Sequence, residues 1–567
     1  MAATSKLRSR RSAAQLHALM QVERHIRAAD SHGRRKYLRS FADAYQAYES
    51  VLTPQQVNQS LHSADIVLIG DYHALPASQQ FAASVIRELA DCGRSVVLGL
   101  ETIFSRDQHI VDEWQRGEID ESELRERIRF DLDWGYDWRP FAELLASARA
   151  HGVRVYGLDC MPRGDLRRIG ARDRHAVEKI AEISVHNPEA VIVVLFGESH
   201  LAPEHLPRLL KRLLPKHDVL TVLQNIDPLY WRAAGEPAER IDAVRVSSDV
   251  ICVFTSTPLE KYESYRLCLE RWRQERAGVP DFAPTVYNLT DALIRYFNID
   301  KYSATNSTQP KFLVDLFPEV CCRTTLDGIR KVLYRKRVSD EDVHRVIGHV
   351  EQFGSCYLPG RNVLFVHRFQ MMHGTEEVTH FIHAACRGAV GASNLQKAER
   401  VERQLSNQVI SDDYLYLRCI EEALGYFGSR VLYPARPAVR ERDLYALYAL
   451  SREEVENTTR FSYRDFLHMI DFMAMHKDFE NNVRKYRKVP QLITERRSYS
   501  GEKREFVAQQ LGAMLGSELY DAFVSGRVHK RFVRSLFFLD LTRPGAAHLT
   551  YFAIVRRTRK QKRRVVA

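Results

Sequence analysis

Four short apolar runs in the first half of the chain each stop at an ionisable residue. Residues 66–69 (Ile-Val-Leu-Ile) run into Gly70-Asp71-Tyr72-His73, 95–100 into Glu101, 153–158 into Asp159, and 190–196 into Gly197-Glu198-Ser199-His200. Runs that are apolar at nearly every position fit strands buried on both faces. Between them, apolar residues at helical spacing predict helices over about 77–91, 140–150, 172–185 and 203–214, the first carrying Phe81, Val85, Ile86 and Leu89 on one face. Gly93 is placed to end that helix. Further strands are predicted near 219–223 and 250–254.

Strands alternating with helices predict an α/β domain over residues 41–300: a mainly parallel sheet with helices on both faces. In such a sheet, ligands sit beyond the carboxyl ends of the strands, where His73, Glu101, Asp159 and His200 would converge. The polar run at 301–310 reads as a linker. The rest, 311–550, is mostly helical by periodicity, with a strand at 362–367 and two more near 535–541 and 549–555, and its type is not recognised. At 567 residues the chain is too long for one core.

Charge changes this picture little. The formal net charge is +11, but residues 1–40 hold ten Lys/Arg against Glu23 and Asp30, and residues 551–567 hold seven with no acid. The body between this basic N-terminal extension and basic tail is slightly acidic, so nucleic-acid contact is confined to the termini. No stretch reaches the roughly 18 apolar residues of a membrane span, and the first residues lack the apolar core of a secretory signal. The expectation is a cytoplasmic protein. Nine scattered cysteines with no C-x-x-C indicate neither a zinc ribbon nor a disulfide framework.

The chemistry is concentrated in the two Gly-x-x-His turns. One His after a strand is commonly a satisfied structural residue, but two copies at strand ends point to a site. Glycine at 70 and 197 lets the chain turn sharply and approach a ligand closely. Imidazoles beside Asp71, Glu101 and Glu198 can bind a divalent cation or act as acid and base held by an orienting acid. Arg172-Asp173 opens a predicted helix, where Asp173 favours the helix N-terminus by its charge and Arg172 can bind an anionic group.

At these residues the sequence resembles the ChaN-like family of haem-binding proteins, grouped with the Tiki metalloproteases and the erythromycin esterases. The family pattern looks like Gly70 to His73, Gln79 or Gln80, Gly99 to Glu101, Arg172-Asp173, and Gly197 to His200. The aromatic stretch from Asp133 to Phe141 is also similar, and the likeness spans roughly 55–230. One departure is Asp71, where the family usually has Glu.

The resemblance implies haem or iron binding, with His73, Glu101 and His200 as metal or catalytic residues. Asp71, Tyr72, Asp159, Arg172, Asp173 and Glu198 would then surround the ligand. It equally implies a hydrolase, in which His73 or His200 activates water directly or through a divalent metal. A third reading is a ligand sensor whose helical half is an interaction platform. In each the partner is a small molecule, haem among them, and a homodimer is a compatible assembly.

A second cluster lies at 373–383, where Glu376, His380 and His383 share one helix face at i, i+4 and i+7. Glu421-Glu422 on another helix resembles the second half of a carboxylate-bridged di-metal bundle. A polar helix face with His380 bonded locally explains the same spacing.

Overall fold

The computed structural model describes residues 2–30, 41, 43–160, 169–238, 240–273, 280–299, 302–323, 325–390, 413–459, 461–482 and 497–559. By contacts the chain forms two compact units, one of Met1–Arg8 with Leu19–Gly278 and one of Ser9–Ala18 with Val279–Ala567. The division precedes helix Ala283–Phe297, which the sequence pattern places in the α/β domain. Residues 302–310, read as linker, close on an isolated bridge between Tyr302 and Pro310 inside the second unit. Parts of the basic extension and the tail from 560 lie outside the described residues.

The first unit is built on an eight-stranded sheet in the order β1-β7-β8-β6-β2-β5-β3-β4. Its strands are β1 (Ser50–Leu52), β2 (Ile66–Asp71), β3 (Val96–Phe104), β4 (Arg154–Asp159), β5 (Val191–Gly197), β6 (Val219–Gln224), β7 (Ala243–Ser247) and β8 (Val250–Val253). The pairings from β8 to β4 are parallel, and only the edge pairs β7–β8 and β1–β7 are antiparallel. The sheet is therefore mostly parallel, as the alternating pattern predicts.

Successive side chains of a strand point to opposite faces, and here both faces are dry. Val67 and Ile69 of β2, with Val191, Val193 and Leu195 of β5, enter one core beneath helices Pro76–Asp91 and Arg139–Ala150. Ile66 and Leu68, with Ile192, Val194 and Phe196, enter the other beneath helix Ile169–His186. Because strand order doubles back, β5 inserts between β2 and β3. The strands that carry or precede His73, His200, Glu101 and Asp159 are thus neighbours, β2-β5-β3-β4, with Glu101 near the carboxyl end of β3, which runs on to Phe104 past the predicted end at 100.

The second unit is mostly helical around a small sheet of β9 (Glu319–Cys322), β10 (Ser355–Leu358) and β11 (Val363–Val366), ordered β10-β11-β9. The predicted strand at 362–367 corresponds to β11. The two strands predicted near 535–541 and 549–555 are instead helices, Lys530–Phe537 and Ala546–Thr558. Their aromatic and β-branched content favours strand, but Val533, Leu536 and Phe537, and then Ala547, Tyr551, Ile554 and Val555, repeat at helical intervals and are buried.

Three helices of this unit meet along glycines. A Cβ at Gly425 of Asp413–Leu432 would overlap the His380 ring of Met371–Cys386, one at Gly428 would overlap Thr379, and one at Gly512 of Arg497–Val524 would overlap Glu422. Bare backbone there lets the helices close on bulky polar side chains.

Candidate functional site

The edge formed by β2, β5, β3 and β4 gathers the predicted residues into one buried network centred on Glu101. Gly197 begins the turn after β5, and its N–H donates to Glu101 Oε2. A Cβ on Gly197 would fall 2.9 Å from that oxygen, so glycine here permits the close approach. Gly70 has only ordinary contacts around an added Cβ, and neither glycine has a positive φ. The sharp-turn argument for glycine therefore fails at both positions, and the close-approach argument holds at Gly197 alone.

Each imidazole is fixed by its own aspartate. His73 Nδ1 lies 2.7 Å from Asp71 Oδ2, and Gln79 Nε2 donates to the other Asp71 oxygen at 2.5 Å. His200 Nδ1 lies 2.5 Å from Asp173 Oδ1, and His205 Nδ1 takes Asp173 Oδ2 at 2.7 Å. A carboxylate only accepts, so each Nδ1 carries a proton, and in the neutral ring Nε2 then presents a lone pair. Both Nε2 atoms face Glu101, from 3.6 Å for His73 and 3.7 Å for His200.

Arg172 decides how the two differ. From the first turns of its helix, the guanidinium bonds Glu101 through Nη2 and grips Asp159 with Nε at 3.0 Å and Nη2 at 2.8 Å. Its Nη1 lies 3.4 Å from His200 Nε2, so the lone pair of His200 accepts from Arg172. Among the described residues, His73 Nε2 has no such donor. The His73 side chain is also 12% exposed against 4% for His200.

Burial pushes Asp71 and Asp159 upward from the usual aspartate value, despite their bonds to His73 and Arg172. Burial also opposes ionisation of Glu101, but Arg172, His200 and His73 outweigh it and hold the carboxyl at about 2, against an ordinary 4.5. A folded-state pKa below the unfolded one means that this carboxylate contributes fully above about pH 4.5, and that the contribution is lost as pH falls toward about 2. All five tryptophans lie between 114 and 272, so their fluorescence reports the first unit alone. We expect its urea midpoint to fall more steeply between pH 4.5 and 2 in wild type than in Glu101→Gln.

Aromatic rings wall the open side of His73. Trp134 meets it edge-on at 5.4 Å and Tyr136 at 5.2 Å, and Trp272 packs on Tyr136 at 5.4 Å. The stretch 133–141 thus belongs to the site and to the core at once, since Trp134, Tyr136 and Trp138 are also buried.

Several assignments shift. Glu198 does not orient His200 but binds Lys261 Nζ, at 2.9 and 3.1 Å, with Tyr72 beneath the ammonium at 4.7 Å. Arg172 is enclosed by Glu101 and Asp159, so its charge is already matched within the chain. Lys261, His205 and Gln224, which bonds Gly70 O at 2.9 Å, were not singled out from sequence. Lys261 had a signal: it follows the predicted strand at 250–254 on the same edge, as the other site residues follow theirs.

The expected metal set of His73, Glu101 and His200 is not drawn together as ligands. Among the described residues, two groups of three His, Cys, Asp or Glu bring one donor atom each within 4.8 Å of one another, and neither contains these residues. Both oxygens of Glu101 are already engaged, by Arg172 and by Gly197, and the cation of the cluster is the guanidinium.

Residues 57–191 match a family model described as "Haem-binding uptake, Tiki superfamily, ChaN". The match stops as β5 begins, before Glu198, His200 and Lys261. No curated protein matches the chain significantly. A solved structure, "Cofacial heme binding to ChaN of Campylobacter jejuni", is similar at 13% identity and TM-score 0.24 over 31% of this chain and 86% of that one. The type III effector HopBA1 is similar at 14% identity and TM-score 0.28 over 37% of this chain and 97% of that one.

Proposed function

From a ChaN-like, Tiki-superfamily domain at residues 57–191, we propose a hydrolase site in which His73 is the general base toward water. The observation that carries this is the unequal treatment of two otherwise equivalent dyads. Asp71 fixes the tautomer of His73 and, in the neutral ring, leaves Nε2 as an acceptor on the more exposed of the two imidazoles, whereas His200 Nε2 is taken by Arg172.

A water can occupy the third corner of a triangle with His73 Nε2 and Glu101 Oε2, which are 3.6 Å apart. It would donate to both. When Nε2 takes a proton, the resulting imidazolium lies between the Asp71 and Glu101 carboxylates, an arrangement ready before the charge develops. Glu101 stays ionised because Arg172 holds it so, and His200 with Asp173 fixes Arg172. The rings of Trp134, Tyr136 and Trp272 suit a substrate with a flat apolar face against the mouth.

Haem held between the two turns does not fit this geometry, since both Nε2 atoms converge on one buried carboxylate. The family description nonetheless favours a second reading, haem at the aromatic mouth with His73 as the approachable imidazole. Turnover of chromogenic esters and amides by the full chain in the presence of chelator supports the hydrolase. A saturable Soret shift lost in His73→Ala, with no turnover of any member of the panel, moves the conclusion to haem.

A further inference from the structure

We propose that the second unit binds one zinc-class divalent cation through His349, Cys356 and Glu377. The three come from different elements: His349 from helix Asp340–Phe353, Cys356 from β10, and Glu377 from helix Met371–Cys386. One donor atom of each lies within 4.8 Å of the other two. Tetrahedral ligation at zinc bond lengths sets N, O and S donors about 3.4–3.6 Å apart. His349 Nε2 and Glu377 Oε1 are 3.0 Å apart, so small side-chain rotations complete the set.

The donor types suit the cation. One imidazole, one thiolate and one carboxylate form the mixed N, S, O set that zinc accepts, and the two anionic donors match its charge. The carboxylate is also aimed. Glu377 Oε2 accepts the Tyr357 N–H at 2.6 Å and lies 3.6 Å from His380 Nδ1, which turns Oε1 toward His349. Cys356 and Glu377 are buried, while the His349 side chain is 23% exposed, which leaves a solvent side for entry and for a fourth ligand.

The cluster read from sequence is redistributed in this arrangement. Glu376 pairs with Arg436 at 2.9 Å, and Glu421 with Arg387 at 2.6 Å, so these carboxylates are neutralised within the chain. His383 is buried, and burial first, with the nearby Arg387, pushes it down to about 3. His380 supports Glu377 from behind, and its Nε2 is buried without a hydrogen-bond partner among the described residues. Glu377 is the member of the 373–383 segment that faces both His349 and Cys356.

The test is a cobalt(II) titration of full-length protein stripped with chelator. The expected result is a thiolate-to-cobalt charge-transfer band that saturates at one equivalent and is displaced by zinc. Because the chain has nine cysteines, the band must be assigned. It is lost in Cys356→Ser and in His349→Gln, and unchanged in His73→Ala. The glutamine variant keeps every cysteine and reads the same band should serine at the buried position compromise folding. No band in wild type, or a band that persists in both variants, overturns the proposal.

Discussion

His73→Gln lowers hydrolytic kcat/KM by about 10²–10⁴-fold, the range that a positioned general base contributes, while tryptophan fluorescence and the unfolding midpoint stay close to wild type. The side chain lies at the mouth with one bond to Asp71, so a glutamine of similar reach replaces it without leaving a buried charge unmatched. His200→Gln behaves differently. Its Nε2 accepts from Arg172 and its Nδ1 holds Asp173, so its loss disturbs the cation that keeps Glu101 ionised. Activity and stability should fall together there, and separately at 73. Equal retention of activity in both variants removes the hydrolase reading, and a pH profile that keeps its base limb in His73→Gln assigns the base elsewhere.

Arg172→Met destabilises the first unit by about 3–5 kcal/mol, the usual cost of removing one member of a buried ion pair. Glu101 and Asp159 both lose their cation in a place without water, and either carboxylate must then take up a proton or draw solvent inward. The measurement is urea unfolding followed by tryptophan fluorescence, which isolates this unit. Adding Glu101→Gln and Asp159→Asn should restore part of the loss, because no unpaired charge then remains. A midpoint shift worth less than about 1 kcal/mol, the size expected of an exposed ion pair, rules out this role for Arg172.

Much of this site was legible in the sequence because parallel strands write themselves plainly. A run buried on both faces is continuously apolar, and the residue that ends it marks the sheet edge where ligands sit, so β2, β3, β4 and β5 displayed His73, Glu101, Asp159 and His200 directly. The pairing of these residues was not legible. That His200 is held by Asp173 rather than Glu198 depends on how far helix Ile169–His186 is rotated over the sheet, which spacing within one element does not encode. Lys261 follows a predicted strand on the same edge, yet a lone lysine in the charged helix Pro258–Arg273 looks solvated until Glu198 is found opposite it. In the second unit, composition misled twice. Residues 530–537 and 546–558 carry strand-favouring side chains, yet their burial follows the helical repeat.

The position of Lys261 bears on how this protein can be divided. A fragment cut where the family match ends, at 191, would lose β5, which hydrogen-bonds to both β2 and β3, and with it His200. A fragment ending after β6 would keep the sheet's centre but leave Glu198 without its ammonium partner beneath the missing helix Pro258–Arg273. A piece that retains every charge pairing around Glu101 and Glu198 must therefore include Lys261 and its helix Pro258–Arg273, which lie within the unit that ends at Gly278. Expression of the first unit for crystallisation, or its grafting onto another protein, should therefore run past Arg273 to the unit boundary at Gly278.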